Sequence, residues 1–160
     1  SCLAVLDGYV SGEVDFGTRL ARASATHRLA VQSLVERIAT AALDSSSTAV
    51  VHLTGYSDRQ DAPGLTAEQR LASEAEMSVK RVASAGNWFV QKIAAIAGPA
   101  DDSSQWPRIL IVRSSCGAVD LVYPAPTGEP QRMANRRVVI EVFASNMNAF
   151  LEESEIIDLS

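Results

Sequence analysis

The sequence predicts an α/β chain: a two-layer sandwich whose βαβαββ core builds a mixed sheet, with an extra helix and a C-terminal tail. Three observations carry this. Residues 48–54 alternate like a strand, with Ala49, Val51 and Leu53 on one face and Val50, His52 and Thr54 on the other. Residues 26–43 place Val31, Leu34, Val35, Ile38 and Ala42 at i, i+3, i+4, i+7 spacing, an amphipathic helix. Helical and strand patterns alternate early and strand patterns pair late, which favours helices over a mixed sheet.

The elements follow in order. Residues 3–16 carry strand signals broken by Gly8 and Gly12, so a strand ending at Phe16 is expected, with a bulge or turn at Gly12. Residues 17–25 read as a connection. The helix over 26–43 turns Arg28, Gln32, Glu36 and Arg37 to water, and Asp44-Ser45-Ser46-Ser47 ends it. After the strand over 48–54, Gly55 permits a turn or a close approach, and Tyr56, Ser57 and Asp58 form a polar corner.

A loop with Pro63-Gly64 at its tip leads to Thr66-Ala67-Glu68-Gln69, a capping-box pattern that opens a second helix. Leu71, Ala75, Ser78, Val79 and Val82 make its inner stripe. Ala85-Gly86-Asn87 is read as an interruption, and residues 88–97 as the extra helix, stopped by Gly98-Pro99. The strand over 108–113 is apolar on both faces and is expected to be covered on both. Residues 114–130 form a long loop with a short strand over 118–123. Residues 138–143 are the last core strand, and 146–160 an acidic tail spaced for a short amphipathic helix. The chain reads as one domain, 1–160, with its core at about 9–143 and the acidic tail over 144–160.

Composition narrows the function classes. A net charge of −5 on 160 residues argues against general nucleic-acid binding. No apolar run is long enough to span a bilayer. Two cysteines, Cys2 and Cys116, and two histidines, His27 and His52, are too few for a disulfide framework or a zinc site, so no metal or cofactor is expected. Cys2 reads as a buried strand residue, although Ser1-Cys2 also fits the remnant of a lipoprotein cleavage site. Cys116 with His52 is the one nucleophile–base candidate. No pattern places an Asp or Asn to orient the histidine, and a small packed Cys is the commoner case, so the chain is read as no enzyme.

A carboxylate just past the end of a buried strand offers a ligand a fixed negative charge, or it simply closes a turn; Asp58 fits both. A second polar stretch, Asn135-Arg136-Arg137-Val138-Val139-Ile140-Glu141-Val142, is a basic lead-in to a strand. Taken with Gly55-Tyr56-Ser57-Asp58 and the preceding Thr127-Gly128-Glu129-Pro130-Gln131-Arg132-Met133-Ala134, it resembles the OmpA-like peptidoglycan-binding domain. In that family a strand ends in Gly-His/Tyr-Thr-Asp and a late strand opens with Asn-Arg-Arg-Val. Phe16-Gly17-Thr18-Arg19-Leu20 is similar to the family's close of its first strand, so the resemblance runs from Phe16 to Val142.

The resemblance implies a non-catalytic, periplasmic cell-envelope domain that anchors a protein or complex to the cell wall. It would do so by holding the diaminopimelate stem peptide without cofactor or covalent bond. The end of that side chain is a zwitterion, so a binder needs a fixed anion for the ammonium and a fixed cation for the carboxylate, for which the arginine fork is suited. The family pattern gives Asp58 as the anion, flanked by Tyr56 and Ser57, and Arg136 beside Asn135 as a supporting cation. The family's main cation lies in a Leu-Ser-x-x-Arg-Ala pattern followed by Val. Overlaid on residues 71–79, this puts Ala75 where Arg is expected. The resemblance then implies weakened binding, with Arg70, Arg19 or Arg59 as replacement cations. The alternative is a degenerate module of an envelope or secretion complex whose partners are proteins.

Overall fold

The structure, a computed structural model, describes residues 2–44, 46–100, 105–145 and 155–158. The chain runs β1 (Cys2–Leu6), α1 (Phe16–Ala21), α2 (Ala25–Leu43), β2 (Ala49–Tyr56), α3 (Ala67–Ala97), β3 (Gln105–Trp106), β4 (Ile109–Ser115), α4 (Glu129–Asn135), β5 (Arg137–Ala144) and β6 (Glu155–Asp158). The strands form one six-stranded mixed sheet in the order β3-β4-β2-β5-β1-β6. β2 runs parallel to β4 and antiparallel to β5, while β1 runs antiparallel to β5 and parallel to β6.

Alternation along the strands decides which face is covered. Val51, Leu53, Val138 and Ile140 are completely buried, and α2 and α3 pack across that face. β2 and β5 are both interior, so the two-layer α/β reading holds. Phe16, Trp88 and Phe89 close the helical layer, with Phe16 and Trp88 ring centroids 5.0 Å apart. No helix among the described residues is long and apolar enough to cross a membrane.

Several elements differ from expectation. β1 stops at Leu6, because Gly8 and Gly12 adopt φ of 82° and 77° and turn the chain away. Phe16 opens a helix instead of ending a strand: Asp15 caps α1 by accepting a 2.7 Å hydrogen bond from the Thr18 backbone N–H. α3 passes through Gly86 without a break and is 31 residues long. The Arg113 guanidinium lies against the Gly86 Cα, and the stripe of Val82, Ala85, Phe89 and Ile93 outweighs the glycine's poor helix propensity. β4 is covered on one face only, leaving Leu110 41% exposed.

No strand forms over 118–123, and residues 129–135 are helical, with Pro130 in the first turn where its missing N–H costs nothing. Within the tail, residues 155–158 form a strand beside β1 in place of a helix. The rest of the helix expected over 146–160 lies outside the described residues.

Candidate functional site

The carboxyl end of β2 meets the start of β5, where Tyr56 pairs with Arg137. Because β5 follows α4 directly, the last turns of α4 overhang the corner just past Tyr56. Arg132 and Asn135 are three residues apart on that helix and so project from one face of it. They meet Asp58, which is only 3% exposed. Asn135 Nδ2 donates to Asp58 Oδ1 at 2.9 Å, and Arg132 Nη1 donates to Asp58 Oδ2 at 2.7 Å. Arg136 Nη2 stands 3.9 Å from the same Oδ2.

Each partner is anchored in turn. Asn135 is completely buried, with its amide bridging the Tyr123 backbone: Oδ1 accepts from Tyr123 N–H at 2.8 Å and Nδ2 donates to Tyr123 C=O at 3.0 Å. Arg136 Nη1 donates to the Tyr9 carbonyl at 3.2 Å and to Glu129 Oε1 at 2.6 Å. Arg132 Nη2 reaches Asp61 Oδ2 at 3.0 Å, and the hydrogen bonds to Asp58 and Asp61 raise the guanidinium pKa above its ordinary value.

Beneath these groups lies Arg81 of α3, 1% exposed. Its Nε donates to the Glu13 carbonyl at 2.9 Å and its Nη1 to the Tyr56 carbonyl at 3.2 Å, while the guanidinium stacks 5.2 Å from the Tyr9 ring centroid. Burial pushes its pKa down to about 10, opposed by Tyr9, Glu13 and Asp58 and reinforced by Arg136. It is charged at neutral pH. Burial also raises the Tyr9 phenol. Tyr9 Oη and Ser57 Oγ are buried with no hydrogen-bond partner among the described residues.

The residues singled out by sequence divide into two groups. Asp58, Asn135 and Arg136 come together, with Tyr56 and Ser57 lining the strand end. Tyr56 lies under the Arg137 guanidinium, 3.9 Å from its ring centroid, and Ser57 N–H donates to the Gly117 carbonyl at 2.8 Å. Arg19 and Arg70 do not join them. Arg19 is buried in α1, where its Nε donates to the Asp7 carbonyl at 2.6 Å and fixes the turn at Gly8. Arg70 sits in the first turn of α3, and Arg59 pairs with Asp61 at 3.5 Å.

Two arginines of the cluster escaped the sequence reading. Arg132 falls between the loop expected over 114–130 and the strand expected over 138–143, where the sequence shows no helix pattern. Arg81 lies just beyond the 71–79 stretch on which the family's helix pattern is overlaid. The Ser-x-x-Arg spacing recurs at Ser78-Val79-Lys80-Arg81, six residues later. Ala75 itself is exposed and lines a small cavity with Leu71 and Cys116. His52 Nε2 lies 2.8 Å from Ser114 Oγ on the open face of the sheet, so the histidine hydrogen-bonds Ser114 rather than Cys116. Among the described residues no group of three or more His, Cys, Asp or Glu could hold a metal ion.

A mixed sheet under two long helices, with a buried Asp at the end of its central strand, defines the class: the chain has an OmpA-like fold. Among solved structures it is similar to the peptidoglycan-associated lipoprotein from Burkholderia pseudomallei, at 12% identity over 87% of this chain and 89% of that one, with a TM-score of 0.50. It is also similar to the periplasmic domain of Helicobacter pylori MotB, at 16% identity over 91% of this chain and 84% of that one, TM-score 0.48. A third is the OmpA-like domain of FopA1 from Francisella tularensis, at 17% identity over 86% and 69%, TM-score 0.48. No family model and no curated protein matches the sequence.

Proposed function

We propose that this chain is a non-catalytic periplasmic anchoring module that attaches a protein or complex to the cell wall by holding the diaminopimelate end of a peptidoglycan stem peptide. The observation that supports it is a fixed carboxylate, Asp58, at the end of the central strand, ringed by Arg132 and Arg136 with Arg81 beneath. The ligand ammonium goes to Asp58. Its carboxylate goes to Arg136, whose position is set by Tyr9 and Glu129, within the positive field of Arg81. Arg81 then fills the role of the helix arginine that Ala75 lacks, so affinity need not be lowered on that account.

A second reading has one observation in its favour. Both Asp58 oxygens already have partners within the chain, so the cluster also cross-links the end of β2 to α4. A domain that kept the cluster for that purpose alone would serve protein assembly instead.

Sedimentation with purified sacculi separates the two. The unmodified domain is expected in the pellet, and Asp58→Asn and Arg136→Gln are each expected to weaken binding about ten- to a hundred-fold, the loss of one charge-assisted contact. Asn is preferred to Ala at position 58 because truncation would leave the arginines facing a void. A folded domain that stays in the supernatant, or one whose sedimentation ignores Asp58→Asn, supports the assembly reading.

A further inference from the structure

We propose that Arg132 is a built-in competitor for the Asp58 site: its guanidinium occupies the place of the ligand's cation, which binds by displacing Arg132 onto Asp61. The inference rests on the functional reading above.

The partners of Asp58 differ in their freedom to leave. Asn135 is completely buried and tied to both polar groups of the Tyr123 backbone, so it cannot give up Oδ1 without breaking three hydrogen bonds. Arg136 has its Nη1 committed to Tyr9 and Glu129 and its side chain 8% exposed. Arg132 alone of the three faces water, with its side chain 29% exposed. A cation arriving from solvent therefore meets Arg132 first, and Oδ2 is reached by moving it.

Arg132 also has a place to go. Its Nη2 already touches Asp61 Oδ2, and the Asp61 side chain is 38% exposed, on the solvent side of the cluster. A guanidinium that pivots about this contact keeps one anion while it releases the other. In the covered state Arg132 bridges two carboxylates. In the open state the ligand ammonium pairs with Asp58 and Arg132 with Asp61, so the number of charge pairs is conserved. The exchange costs little in net electrostatics, and affinity is set by how tightly Arg132 holds Asp58. Arg59, 3.5 Å from Asp61 Oδ1, competes for the retreat position.

The test is a titration of the folded domain with free meso-diaminopimelate, following the Asn135 side-chain amide by NMR, because Nδ2 sits directly on Asp58. Arg132→Gln is expected to tighten binding about fivefold, the scale of removing a partly exposed ion pair from the competition. Arg132→Lys keeps a cation but cannot bridge both carboxylates with one fork, and is expected to tighten binding by a smaller factor. If the unmodified domain binds and Arg132→Gln binds no better, the competitor is overturned while the functional reading stands. If neither protein binds, the functional reading falls and the competitor with it. Arg132→Lys keeps the test open should Arg132→Gln fold poorly, and binding no tighter than that of the unmodified domain overturns the competitor.

Discussion

Gly55 shows how far a single residue can be committed. A Cβ there would drive into the Ser78 carbonyl oxygen of α3 and meet the Val82 side chain at 3.0 Å. The obstacle is helix backbone, which cannot swing aside. Gly55→Ala is therefore expected to lose about 3 kcal/mol or more, at the upper end of overpacking costs, as measured by urea unfolding. The glycine was legible in sequence as a close approach, but its partner was not, since Ser78 lies in another element. The same holds for the site. Asp58, Asn135 and Arg136 are visible because short polar motifs at strand ends stand out against apolar runs. Arg132 becomes visible only once residues 129–135 are known to be helical, which brings it onto the face of Asn135.

At the scale of elements, helix ends were read well where a cap was explicit and poorly where glycine was taken as a breaker. Thr66 and Gln69 form the expected capping box on α3, with both reciprocal hydrogen bonds present. Gly86 looks like a chain break in sequence, but the apolar stripe on either side of it carries α3 through. α1 went unread because it is six residues long, too short for a periodic pattern. Its stability should carry a pH signature. The Asp15 carboxylate caps α1, and the hydrogen bond from Thr18 holds its pKa below the ordinary 3.8. Glu13, bound by Arg22, is likewise held below its ordinary 4.5. For groups depressed in the folded state, the contribution is fully present above the ordinary value and is lost as pH falls through the lowered one. Asp15→Ala is expected to cost about 1 kcal/mol at pH 7. Unfolding curves at pH 7 and pH 2.5 should show the two proteins converging at the acid end.

Across the whole molecule the two faces of the sheet are unequal. The helix-covered face is sealed, whereas Phe143, on the other side of β5, is 45% exposed. Ile140→Ala is expected to cost about 2–5 kcal/mol, the range for emptying a buried aliphatic site. Phe143→Thr should stay within about 1 kcal/mol of the unmodified protein, and thermal melts of the pair check the contrast. Sequence alternation told the buried face of β2 and β5 correctly. It failed for β4 because Leu110 and Val112 are apolar yet open. β6 was missed because Ile156 and Ile157, adjacent in sequence, fit neither period over so short a run.

β1 lies between β5 and β6, and its ends point in opposite senses relative to the site. Leu6 is level with Val138, close to Arg136, while Cys2 is level with Val142 at the far end of the sheet. A pull applied at the Cys2 end and resisted through Asp58 and Arg136 therefore runs along the strand axis. The ladder bonds lie across that axis, so they are sheared together and share the load, instead of being peeled open one after another. A pull between Cys2 and Ala144, neighbours at the same end, would unzip β1 from β5 bond by bond. The domain is thus mechanically anisotropic, and its stiff direction is the one joining the head of its first strand to the corner at Asp58 and Arg136.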